Sequence, residues 1–173
     1  MRPTSRLAAA VASAALLLPA SPASSDTHHL SDPAGDGLKG RRLDITGVTV
    51  ANGKGAIRVD VSFVRVAVGD LGVRIQARGT QARDQVVVFG THRAAGDRAG
   101  LLAEGGRQDC SGLRVDWDSD AETASVRLPA ACFRAGDYGA VRVRVITEIG
   151  SDADLTPESR TGGWPWSRYV ARG

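Results

Sequence analysis

The chain has 173 residues, with 22 Lys and Arg against 19 Asp and Glu, three histidines and two cysteines. Arg2 and Arg6 lie in an N-terminal segment read below as removed, which leaves 20 basic against 19 acidic residues. A net charge near +1 excludes an electrostatic case for a nucleic-acid partner, because phosphate binding draws on a surplus of cations.

Met1, Arg2 and Arg6 make a basic start, Leu7 to Leu18 is an apolar run rich in Ala and Leu, and Pro19 with small residues leads to Asp26. This pattern predicts a secretory signal peptide over residues 1–25, cleaved between Ala20 and Ser25. The apolar run is shorter than the roughly 20 residues that span a bilayer, and no second run of that kind follows. The expected product is secreted, extracellular or associated with the cell envelope, and not membrane-spanning. Its length suits one domain with its own core.

Residues 26–42 are polar and rich in Gly, Asp and His, and read as an extended leader and an Asp/Gly-rich loop; residues 43–173 read as a single β domain. From Leu43 a period of two takes over. Leu43 to Ala51 reads as a strand, followed by Asn52-Gly53-Lys54-Gly55. Ile57, Val59, Val61 and Phe63 then alternate with Arg58, Asp60 and Ser62. Two alternating runs across an Asn-Gly turn predict a hairpin with one apolar face. Leu71, Val73, Ile75 and Ala77 alternate again, and Gln85 to Phe89 reads as a central strand. Thr91 to Gly106 reads as a loop with at most one short strand. Leu113, Val115 and Trp117 pair with Thr123 to Leu128 across Asp118-Ser119-Asp120-Ala121. Val141, Val143 and Val145 begin a strand running to Ile149, Ser151 to Gly163 is a loop, and Trp164 to Val170 is the closing strand, with Pro165 at a sheet edge.

About eight strands and no convincing amphipathic helix predict an all-β fold, an antiparallel, jelly-roll-like β-sandwich. Cys110 and Cys132 fall just before and just after the hairpin of residues 113–128. In an exported chain such a pair predicts one disulfide, which antiparallel pairing brings within reach.

Chemistry is sparse. Of His28, His29 and His92, only His92 lies in the body of the domain, and there is neither a Gly-x-Ser-x-Gly nor a His-Glu-x-x-His motif. No enzyme is expected. The most specific feature is Asp32-Pro33-Ala34-Gly35-Asp36, followed by Leu43-Asp44-Ile45. Two readings fit it. Asp32, Asp36 and Asp44 can ligate Ca2+, which takes six to eight oxygens from carboxylates and carbonyls. Alternatively Asp32 and Asp36 form Asx-type turns, with Asp44 at a strand start and Lys39, Arg41 and Arg42 as counter-charges. Trp164 and Trp166 are two residues apart and share one side of an extended chain, so they can floor a glycan groove or cap the sandwich. Trp117 follows the inward pattern and is expected in the core.

The DPAGD segment, the Leu-Asp-Ile strand and the Asn-Gly hairpin resemble the N-terminal part of DOMON-like and family-nine-type carbohydrate-binding β-sandwiches. The likeness covers residues 32 to about 78 and, more loosely, the later strand order. In composition the chain also resembles small uncharacterised exported proteins of actinobacteria. The first resemblance implies a calcium site at Asp32, Asp36 and Asp44, and a glycan or cell-envelope component as partner. Some DOMON domains hold haem, but within the body of the domain only His92 could serve as an ordinary axial ligand, so no haem is expected; nor is a nucleotide.

Overall fold

In the computed structural model the described residues are 26–36, 41–81, 84–158 and 163–173. The predicted signal peptide and Lys39 lie outside them. Among the described residues eleven strands form two antiparallel sheets. The first sheet contains β1 (Asp26–Ser31), β2 (Ile45–Asn52), β3 (Ala56–Phe63), β8 (Arg114–Asp118) and β9 (Thr123–Pro129), in the order β1-β2-β3-β9-β8. The second contains β4 (Gly69–Ala77), β5 (Val86–His92), β6 (Arg98–Ala103), β7 (Gly106–Gln108), β10 (Val141–Ile149) and β11 (Asp152–Thr156), in the order β11-β10-β4-β5-β6-β7. The run β10-β4-β5-β6 has the strand order of a Greek key, with β10 returning beside β4. No helix among the described residues is long and apolar enough to cross a membrane.

The alternation read from the sequence builds the core. Val48, Val50, Ile57, Val59 and Val61 from one sheet meet Leu71, Val73, Ile75, Val143 and Val145 from the other, all buried. Intervening Arg and Asp residues lie on the outer faces, as period two requires. The sheets approach closely at Gly90, where an added Cβ would lie 2.5 Å from Val115 Cγ1. Gly90→Ala is expected to lower unfolding stability by about 1–3 kcal/mol, the usual range for overpacking, read as a lower urea midpoint. An unchanged midpoint would mean that β5 and β8 are not in contact.

Four segments depart from the sequence reading and raise the count from about eight strands to eleven. The leader is not merely extended: Asp26–Ser31 pairs with β2 along its whole length, from Asp26 opposite Asn52 to Ser31 opposite Gly47. Its backbone thereby meets the otherwise open edge of β2. Residues 91–106, read as mostly loop, contribute β6 and the start of β7, and residues 151–163 contribute β11. The expected closing strand over Trp164 to Val170 is instead an irregular segment with a single bridge, Val141 to Val170. Pro165 has no N–H to donate. Ser167 N–H and Val170 N–H donate to β10 at Val143 O (2.8 Å) and Val141 O (2.7 Å). The segment thus lies along the part of β10 that β11 leaves uncovered, which agrees with the expected edge position.

The predicted disulfide is present. Cys110 and Cys132 are bonded with Cα atoms 5.6 Å apart, tying the turn before β8 to the short 3-10 turn Ala130–Cys132 after β9.

Candidate metal centre

β1 ends at Ser31, and the chain leaves the sheet at Asp32, whose N–H still donates to Thr46 O. It bends through Gly35, which has a φ of 95° that an L side chain rarely adopts. Gly35 N–H donates to Asp44 Oδ2 at 2.7 Å, which folds the acidic segment back toward the start of β2.

The approach to β2 is shaped by Leu43. Its φ of 51° is unusual for a branched residue, and it is held by Leu43 N–H to Arg65 O (2.8 Å) and Thr147 Oγ1–H to Leu43 O (2.7 Å). The left-handed residue breaks the alternation, so Leu43, Asp44 and Ile45 are buried in succession. A carboxylate is thereby carried into the seam where the β2 side of the first sheet faces β11 of the second.

Asp154 on β11 meets it there. Ile45 N–H donates to Asp154 Oδ2 at 2.6 Å and Leu155 N–H to Asp154 Oδ1 at 2.7 Å. Thr156 Oγ1–H, also on β11, donates to Asp32 Oδ2. One carboxylate oxygen from each of Asp32, Asp36 and Asp154 lies within 4.8 Å of the other two. Asp32 and Asp154 are half-buried and Asp36 is exposed, so the cluster opens to solvent on one side.

The electrostatics are one-sided. Burial, followed by the charges of Asp154, Asp36 and Glu158, raises the Asp32 pKa from 3.8 to about 6, against the lowering effect of the Thr156 hydrogen bond. Burial also raises the pKa of Asp154, with Asp36 and Asp44 adding to it and the two backbone donors opposing. Among the described residues no Lys, Arg or His side chain is bonded to Asp32, Asp36 or Asp154. Of the three counter-charges offered by the sequence, Arg41 and Arg42 are exposed and Lys39 lies outside the described residues.

Of the three sequence candidates, the structure brings Asp32 and Asp36 together and places Asp44 behind them, buried and holding Gly35. Asp154 was missed. It lies in a stretch read as loop, and only the alternating acids of Ser151-Asp152-Ala153-Asp154 hinted at it. Three carboxylates with Asp44 at their back suit a hard cation of the calcium type, with backbone carbonyls and water completing its shell.

The other singled-out residues lie elsewhere. Trp117 packs on the core with its ring stacked on Phe63, centroids 6.0 Å apart. Trp164 and Trp166 are half-buried outside the core, Trp164 under guanidinium groups from β4 and β10 and Trp166 under two from β10. His28 and His29 belong to β1; Arg168 Nε–H donates to His28 Nδ1 at 2.8 Å. His92 Nδ1 lies 2.7 Å from Asp97 Oδ1 across the β5–β6 turn, and its ring leans on Trp117. That supplies two members of a base–orienter pair, but among the described residues no hydroxyl or thiol is hydrogen-bonded to His92.

Compared with known proteins, the chain matches no family model and no curated protein sequence.

Proposed function

We propose that this chain is an exported, non-catalytic β-sandwich module that binds calcium at the seam between its sheets and works by recognition, with a glycan or cell-envelope component as its partner. The observation that carries the calcium reading is the convergence of Asp32, Asp36 and Asp154 with no cationic side chain bonded to them among the described residues. These residues come from the two ends of the domain and meet where β11 faces the β1–β2 connection. A cation there would clamp the two sheets together. The likeness to DOMON-like and family-nine-type modules agrees with an acidic segment at the N-terminal edge of the sandwich. Export rests on the pattern of residues 1–25.

Calorimetric titration of the chelator-treated mature chain with calcium tests the site. One ion per chain is expected, with an affinity on the order of 10⁻⁴ M, typical of extracellular modules. No saturable binding up to roughly 10 mM calcium, well above the affinity range of such sites, would overturn the calcium reading.

A further inference from the structure

The outer face of β4 and β10 carries an unusual concentration of arginine. Arg74 and Arg144 are directly opposite in the antiparallel register, and Arg142 is opposite Gln76. Like charges in directly opposed positions destabilise a sheet unless something compensates them. No carboxylate does so: among the described residues none is bonded to Arg74, Arg78, Arg142 or Arg144.

Aromatic rings compensate in part. The C-terminal segment folds back over this face, and its rings interleave with the guanidiniums. Arg74 lies 5.0 Å and Arg144 4.5 Å from the Trp164 ring centroid; Arg144 also lies 4.4 Å, and Arg142 5.0 Å, from that of Trp166. Arg142 and Arg78 lie 5.1 and 4.7 Å from the Tyr169 centroid. The result is one ladder of four cations and three rings. Cation–π contacts neutralise no charge. Among the described residues Arg144 gives one hydrogen bond, to Trp164 O at 2.9 Å, and its buried Nε has no partner. Burial, then Arg74 and Arg142, lower its pKa.

Each indole already carries two guanidiniums over its ring. A neutral sugar seeking an indole face would have to displace them, whereas an acidic one is drawn to them. Guanidinium forks match carboxylate and sulfate oxygens, and the overall charge balance of the chain does not favour a nucleic acid. We propose that the Arg74–Trp164–Arg144–Trp166–Arg142–Tyr169–Arg78 ladder is the recognition face of the module, and that it takes a linear acidic polysaccharide through its carboxylate or sulfate groups. This rests on the binding-module reading but not on the calcium site.

Affinity electrophoresis of the mature chain at low ionic strength tests it with three polymers on one backbone: dextran, carboxymethyl-dextran and dextran sulfate, with oligo-dT alongside. Retention is expected with one or both charged dextrans, falling as salt is added, and not with dextran. Arg74→Gln/Arg78→Gln, at the outer rungs, should weaken it roughly tenfold or more, the cost of losing charge-assisted contacts, with the far-ultraviolet spectrum and calcium titration unchanged. Arg142→Gln gives a second variant should the first misfold. The proposal is overturned by absence of retention on either charged dextran, by wild-type retention in the folded variants, or by tighter binding to oligo-dT. Equal retention by neutral dextran would also overturn it while leaving a glycan-binding module in place.

Discussion

Calcium added in excess to chelator-treated protein at neutral pH is expected to raise its melting temperature by about 5–10 °C. The size follows from linkage. A ligand that binds only the folded state at about 100 times its dissociation constant stabilises it by about 2.7 kcal/mol. For a domain of this length each kcal/mol shifts the midpoint by about 2–4 °C.

The pH dependence carries its own sign. The Asp32 pKa is raised in the folded state, from 3.8 to about 6. The metal-free fold therefore holds the proton more tightly than the unfolded chain does. The corresponding stability is fully present below pH 3.8 and is lost as pH rises through about 6. For a half-buried carboxyl this amounts to about 1–2 kcal/mol once solvent screening is allowed for. Asp154, shifted in the same direction, adds to it. A bound cation favours the charged carboxylates and removes the penalty. Calcium stabilisation should thus be greatest above pH 6 and fade as the carboxyls protonate, as thermal melts with and without calcium would show. A calcium effect that grows on acidification would contradict this assignment.

Removing the disulfide is expected to have an effect of similar size. Cys110 and Cys132 are separated by 22 positions, and closing a loop of that length contributes about 3 kcal/mol in the chain-entropy account. The location gives the bond structural weight. β8 is an edge strand with five residues paired to β9, and the disulfide fastens the chain ahead of β8 to the chain beyond β9. Cys110→Ala/Cys132→Ala should unfold at a markedly lower urea concentration, with β8 amides exchanging before those of β3 and β9. An unchanged midpoint, or uniform exchange across the sheet, would show that the bond is incidental to the edge.

How much of this was legible in the sequence depended on how local the cause was. Ile57, Val59, Val61 and Phe63 alternate with polar residues and form β3 for that reason alone, and the same holds for β4 and β10. β1, β6, β7 and β11 are short, polar or glycine-rich, and become strands because neighbouring strands offer them backbone partners. Asp32 and Asp36 are close in sequence and could be read together. Asp154 could not, because it joins them only after β10 and β11 have folded beside β4. Arg74, Arg142 and Arg144 could be placed on an outer face by period two. That Trp164 and Trp166 would fold over them instead of continuing as a strand was not legible. Pro165 breaks the backbone ladder, and the arginine face lies on a different part of the chain.

Asp154 is also where the central claim, a cation clamp joining the two sheets, is most directly testable. Asp154→Asn keeps an oxygen that can accept from Ile45 N–H and removes the negative charge. In calcium titrations of this variant, affinity should fall at least about tenfold, the equivalent of 1.4 kcal/mol, while unfolding stays cooperative. Wild-type calcium affinity in the folded variant would contradict the clamp.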